Sequence, residues 1–233
     1  MRKILAASLL FNIIGLGLCG IVIHKLGGIS NFIFKLKAKH TTAKINHRIS
    51  QFASNPNSMG ATIFLGDSIT EYGEWSELFP NHRVLNRGIA GDGIVGVKNR
   101  LDELARHQPD KIFLMIGIND LCYHPSEVVI EAYLDLLYAL QDKFKNTDLI
   151  VQSILPINNG IYHISTTNLE VDKVNQAIQD FCKGQKIPYI DISSALKDKE
   201  NNLGTNFTAD GIHINGIAYN VWKEQIKHWF PIK

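Results

Sequence analysis

Residues 61–70 read ATIFLGDSIT. The run from Ala61 to Leu65 is short, rich in Ile, Phe and Leu, and shows little polar alternation, which fits a parallel strand covered on both faces. It stops abruptly at Gly66-Asp67-Ser68. Gly, Asp and Ser are ordinary turn residues, so the bland reading is a strand end and nothing more. The sharper reading is that the strand carries a serine nucleophile to one edge of a sheet, and the rest of the chain must decide between the two.

Similar runs lie at Lys111–Ile116 and Leu149–Ile154, with shorter ones at Arg83–Asn86 and Pro188–Ile192. Between them, apolar residues recur at helical spacing. Val129, Ala132, Leu136, Leu140 and Phe144 form one such stripe, and Val171, Val174, Ile178 and Phe181 another. Gly93–Arg106 and Ile217–Trp229 are further helix candidates. Strands alternating with helices predict a three-layer α/β/α domain around a central parallel sheet of about five strands. In such sheets the site lies outside the carboxyl ends of the strands. The segments expected there read LGDSIT (65–70), NRGIAGDG (86–93), MIGIND (115–120) and, near the C-terminus, ADGIHIN (209–215).

A serine hydroxyl is a weak nucleophile until a base takes its proton and a third group orients that base. Asp210 and His213 stand three apart. At that spacing the carboxylate can meet one ring nitrogen while the other faces Ser68, fixing the tautomer and stabilising the imidazolium. An attacked carbonyl also needs donors for its oxyanion. The backbone N–H groups of Ser68 and Gly91 and the Asn119 amide are the candidates. Asp67, Asp120 and Ile212, beside these residues, are candidate substrate contacts, although Asp67 and Asp92 are also expected to hold their own loops. Each signal alone reads as a turn or a helix cap. All four in order, each at a loop of one α/β domain, favour a single site.

That combination resembles the SGNH hydrolases, also called the GDSL family. Gly66-Asp67-Ser68 matches the first block, with Ile69 in place of leucine, and Gly91 within Asn86–Asp92 matches the second. Gly117-Ile118-Asn119-Asp120 matches the third and Asp210-Gly211-Ile212-His213 the fifth. The resemblance covers about residues 59–233 and implies a flavodoxin-like fold. It also implies Ser68 as nucleophile, His213 as base and acid, Asp210 as its partner, and an oxyanion hole of Ser68, Gly91 and Asn119. The branch it looks most like contains platelet-activating-factor-type acetylhydrolases and bacterial acetylesterases. The expected activity is hydrolysis of a carboxylic acyl ester of a glycan or lipid, with acetyl or short acyl groups favoured and no cofactor. Acyl transfer, a long-chain lysophospholipase or thioesterase activity, and an inactive binding module are the alternatives.

Composition narrows the partners. The net charge of +2 is too small to argue for nucleic acid. Cys19, Cys122 and Cys182 have no C-x-x-C spacing, and no His pair has zinc-ligand spacing, so no metal is expected. Two buried free thiols at Cys122 and Cys182 are favoured over a pair. Met1-Arg2-Lys3 precedes a stretch from Ile4 to Ile23 without a charge, long enough to cross a bilayer. Residues 1–24 are therefore expected to be a retained membrane anchor, with cleavage as a signal peptide or lipidation at Cys19 as alternatives. Residues 25–58 then read as a basic juxtamembrane linker, helical around Ala43–Phe52, and 59–233 as the domain. Lysines on both sides of the span leave orientation open. An extracytoplasmic domain is favoured. His24, His40, His47 and His107 are expected to be solvated, and Trp75, Trp222 and Trp229 to pack in the core.

Overall fold

The computed structural model describes residues 43–231. The expected anchor, the linker up to residue 42, Cys19, His24 and His40 lie outside the described residues. Among the described residues no helix is long and apolar enough to cross a membrane.

Five strands, β1 (Thr62–Gly66), β2 (Val84–Gly88), β3 (Lys111–Met115), β4 (Asp148–Gln152) and β5 (Tyr189–Ile190), fall on the five apolar runs. They form one parallel sheet in the order β2-β1-β3-β4-β5. β1 is buried along its whole length, as a central strand covered on both faces must be. Its last residue, Gly66, lies opposite Gly88 on β2 and Met115 on β3. Three strands thus end at one level and release their loops on the same edge.

Residues 43–54 are helical (α1). The helices that follow are α2 (Ser68–Glu71), α3 (Trp75–Leu78), α4 (Ile94–Asn99), α5 (Leu101–Ala105), α6 (Ile118–Leu121), α7 (Ser126–Lys143), α8 (Asn168–Gln185), α9 (Ser193–Leu196) and α10 (Gly216–Ile226). The stripe Val129, Leu136, Leu140 and Phe144 is buried, as are Val171, Val174 and Ile178. Phe181 instead sits half-buried with its ring edge-on to Tyr138, at 5.1 Å between centroids, and Cys182 takes the inner position. Cys122 and Cys182 are both free thiols, and burial pushes the Cys182 thiol up to about 12.

The stretch Gly93–Arg106 forms two short helices where one was expected. The break falls at Arg100, with φ −114° and ψ 17°. Its guanidinium turns inward to donate to the Asp92 carboxylate at 2.9 Å and the Gly66 carbonyl at 3.1 Å. A buried ion pair has overridden helical continuity.

Beneath β1, the Phe64 ring lies 3.9 Å from Trp75 and 5.0 Å from Phe113, and Trp222 meets Trp75 edge-on at 4.8 Å. Each such side chain contributes about 1.5–3 kcal/mol on burial, and this layer fixes the strand that presents Ser68. Trp229 is only partly buried.

His107 corrects the sequence expectation of a solvated ring: it is fully buried. Its Nδ1 accepts from the Ser58 N–H at 2.9 Å, and its Nε2 lies 3.1 Å from Glu103, which also pairs with Arg87. Partners on both ring nitrogens offset the desolvation. The compact unit that carries the sheet begins at Arg48, ahead of the expected boundary at 59. Phe52 is buried, with the guanidiniums of Arg48 and Arg87 at 4.8 and 4.5 Å from its ring centroid.

Candidate active site

The turn after β1 is built by close approach. A Cβ on Gly66 would stand 2.2 Å from the Met115 carbonyl oxygen and 2.3 Å from the Thr70 hydroxyl, so no larger residue fits. Asp67 then caps α2, its Oδ1 accepting from the Ile69 N–H at 2.9 Å. Ser68 becomes the first residue of that helix, largely buried. At the C-terminal side, Tyr219 of α10 donates its hydroxyl to the Ile69 carbonyl at 2.6 Å and ties α10 to α2.

His213 Nε2 lies 3.0 Å from Ser68 Oγ, and its Nδ1 lies 2.6 Å from Asp210 Oδ2. The other carboxylate oxygen accepts from the backbone N–H groups of Ile212 and His213 at 3.0 and 2.8 Å. Burial acts to raise the Asp210 carboxyl, but the His213 ring and these two N–H groups together hold it below its ordinary value. The loop itself is pinned from both sides. Thr208 Oγ1 accepts from the Gly211 N–H at 2.9 Å, and the Asn158 N–H donates to the Gly211 carbonyl at 2.8 Å.

The expected oxyanion donors come from three separate segments, the starts of α2 and α6 and the turn after β2. Gly91 adopts φ +80°, a left-handed conformation that a side chain disfavours, and its N–H has no acceptor among the described residues. Asn119 donates through Nδ2 to the Asp92 carbonyl at 2.8 Å, which leaves its second amide hydrogen for a ligand. The Ser68 N–H is one of the donors that a helix start leaves unpaired.

Asp67 and Asp120 do not stand as free substrate contacts. Asp67 is 1% exposed and engaged by Ile69, and both Asp120 oxygens accept from the Ile94 N–H at 3.2 Å. Ile212 is half-buried beside His213. Burial pushes the Asp67 carboxyl up to about 7 against the pull of the Ile69 N–H, and the charges of Asp92 and Asp120 add to the rise. Burial also raises Asp92 despite Arg100, and Asp120 despite Ile94. Asp92 and Arg100 are almost fully enclosed and lie under the oxyanion loop.

Sequence reasoning passed over three residues. Arg100 anchors Asp92, Glu71 accepts from the Ala90 N–H at 2.6 Å, and the exposed Tyr72 ring lies 5.2 Å from the His213 ring. Tyr72 follows Ser68 by four residues, one helical turn on, a spacing that could have flagged it. Tyr123, His124 and Pro125 line a groove together with Thr166, Thr167 and Glu170. Among the described residues no group of three or more His, Cys, Asp or Glu is placed to hold a metal ion.

Residues 64–221 match the model of the GDSL-like lipase/acylhydrolase family. An N-acylneuraminate cytidylyltransferase of Streptococcus agalactiae serotype V is 27% identical over 169 residues, covering 72% of this chain and 38% of that protein. The chain thus spans well under half the length of that relative. The platelet-activating factor acetylhydrolase IB subunit alpha2 of Rattus norvegicus is 29% identical over 166 residues, covering 67% of this chain and 70% of the relative. Among solved structures, a GDSL-like lipase from Bacteroides thetaiotaomicron superposes with a TM-score of 0.69 at 20% identity, covering 81% of this chain and 97% of that one. The family match spans most of the chain and contains Ser68, Gly91, Asn119, Asp210 and His213: the chain belongs to the GDSL-like lipase/acylhydrolase family.

Proposed function

We propose that the protein is a serine-dependent carboxylic ester hydrolase acting on acetyl or other short acyl esters through an acyl-enzyme on Ser68. The observation that carries this reading is the continuous path Ser68 Oγ to His213 Nε2, 3.0 Å, and His213 Nδ1 to Asp210 Oδ2, 2.6 Å. Ser68 Oγ attacks the ester carbonyl while His213 Nε2 takes its proton. The carbonyl oxygen becomes an oxyanion facing the N–H groups of Ser68 and Gly91 and the Asn119 amide. Its collapse breaks the ester bond, and the leaving alcohol departs with the proton from His213. A water molecule then attacks the acyl-enzyme by the same route, releasing the carboxylic acid and restoring Ser68. Each oxyanion donor is worth about 10²- to 10³-fold in rate.

The preference for acetyl rests on the rat relative, an acetylhydrolase subunit. A glycan ester fits the second relative, whose name concerns an N-acylated sugar acid. The uncharged stretch Ile4–Ile23 supports a membrane-tethered enzyme, and the usual arrangement of a short N-terminal anchor favours a catalytic domain outside the cytoplasm. Alkaline extraction of membranes from cells expressing the full chain checks the tether, and release into the soluble fraction would count against it. The chemistry is tested with p-nitrophenyl esters from acetate to long chains and with acetylated sugars. The expected result is turnover that is highest for acetate and lost in Ser68→Ala. Equal turnover by wild type and Ser68→Ala would refute the reading.

A further inference from the structure

The segment that enters the domain ahead of the family match reaches the oxyanion loop through Arg48, and its charged route to Ala90 runs through Glu71. Glu71, the last residue of α2, sends Oε2 to the Ala90 N–H at 2.6 Å and pairs Oε1 with Arg48 Nε at 3.2 Å. Arg48 also donates to the Gly88 carbonyl at 3.4 Å. Ala90 immediately precedes Gly91. The backbone around it is set from several directions: the Ile89 N–H donates to the Gly66 carbonyl at 3.1 Å, and a Cβ on Gly88 would lie 2.1 Å from the Glu71 nitrogen. Asn86 adds three donations from its amide to the carbonyls of Thr70, Glu71 and Gly73. Most of these contacts are backbone or packing. The Glu71 carboxylate is the one charged group that reaches from the helix bearing Ser68 to the residue before Gly91.

We propose that Glu71 is a positioning residue for the oxyanion hole and that Arg48, in α1, sets the Glu71 carboxylate. The proposal rests on the hydrolase reading and extends it to a segment outside the matched residues 64–221. The physical reason is directional. A Gly at φ +80° can relax readily, and the orientation of its N–H depends on how firmly the preceding peptide is held. A carboxylate accepting from that peptide makes a charge-assisted bond stronger than a neutral one. Arg48 and Glu71 are about a quarter exposed, so their pairing acts by fixing geometry more than by raw Coulomb energy.

The test uses the full chain and p-nitrophenyl acetate, comparing Glu71→Ala, Glu71→Gln and Arg48→Gln, with thermal unfolding followed in parallel. Glutamine keeps an oxygen for the Ala90 N–H and loses only the pairing with Arg48. The expected result for Glu71→Ala is a kcat lowered about tenfold to a hundredfold, below the full worth of one oxyanion donor, with KM nearly unchanged. Glu71→Gln and Arg48→Gln should each stay within about fivefold of wild type, and their double variant should lose less than the product of the two. A residue that only stabilised the fold would shift unfolding without this kcat-specific loss or its rescue by glutamine. Wild-type kcat in Glu71→Ala, or a loss wholly in KM, overturns the proposal. If Glu71→Ala does not fold, the Glu71→Gln and Arg48→Gln pair decides, and strictly multiplicative losses overturn it. An inert wild-type chain would instead refute the hydrolase reading itself.

Discussion

Replacing Asp210 by Asn should be more damaging than the half-exposed position of that residue suggests. Its two oxygens have different partners: Oδ1 accepts from the Ile212 and His213 N–H groups at 3.0 and 2.8 Å, and Oδ2 faces His213 Nδ1 at 2.6 Å. An asparagine keeping the two backbone bonds must turn its NH₂ toward the ring. Nδ1 then becomes the acceptor, the proton moves to Nε2, and His213 no longer offers Ser68 a base. Flipping the amide would restore the tautomer but set its NH₂ against two N–H donors, losing two bonds at about 1 kcal/mol each and leaving donors unpaired. The charge is a separate loss. Two charges about 4 Å apart interact by about 1 kcal/mol in water and about 4 kcal/mol near a protein surface, and with the Asp210 side chain 52% exposed the lower end applies. The orientation effect is not screened by solvent, so kcat for p-nitrophenyl acetate should fall about 10³-fold in Asp210→Asn with KM little changed. Retention of kcat within about tenfold would refute the tautomer argument, since the whole loss would then be no more than the screened charge.

Three further outcomes concern the frame behind the site. Arg100→Met leaves Asp92 as an enclosed, unpaired carboxylate and should cost about 3–5 kcal/mol in chemical denaturation, whereas a change under about 1 kcal/mol would contradict the buried pair. Gly66→Ala forces a Cβ to within 2.2 Å of the Met115 carbonyl and should destabilise by more than about 4 kcal/mol or abolish folding, and a normal unfolding midpoint would contradict that geometry. Asp67, raised in the folded state to about 7, favours folding below its unfolded value of 3.8, and this advantage is lost as pH rises toward 7. Asp67→Asn should therefore gain stability relative to wild type between about pH 4 and pH 7, by up to roughly 4 kcal/mol. A pH-independent difference between the two would show that Asp67 titrates normally.

The sheet was legible because each central strand is a run of residues that tolerate burial on both faces, and Ile63, Phe64 and Leu65 are all fully enclosed. The five residues of the motifs could be named because their chemistry requires those residue types in loops that converge on one edge of the sheet. Tertiary partners were not legible. Nothing in the sequence around Arg100 says that its guanidinium will reach back 34 residues to the Gly66 carbonyl and interrupt a helix. His107 looked like any surface histidine because Ser58 and Arg87, which meet its two ring nitrogens, come from distant segments of the chain. That Asp67 and Asp120 each hold a backbone N–H was not legible for a related reason. A carboxylate beside a motif can face a ligand or cap a loop, and only the positions of the Ile69 and Ile94 N–H groups tell which.

The central claim is that Ser68 is an activated nucleophile. Its most direct measurement is the mass of the full chain after reaction with a fluorophosphonate, which forms a phosphorus–oxygen bond to the serine as fluoride leaves. The account predicts one adduct, mapped to Ser68, absent from Ser68→Ala and formed far more slowly in His213→Ala. An adduct at another residue, or an unmodified wild-type chain that still hydrolyses p-nitrophenyl acetate, would contradict it.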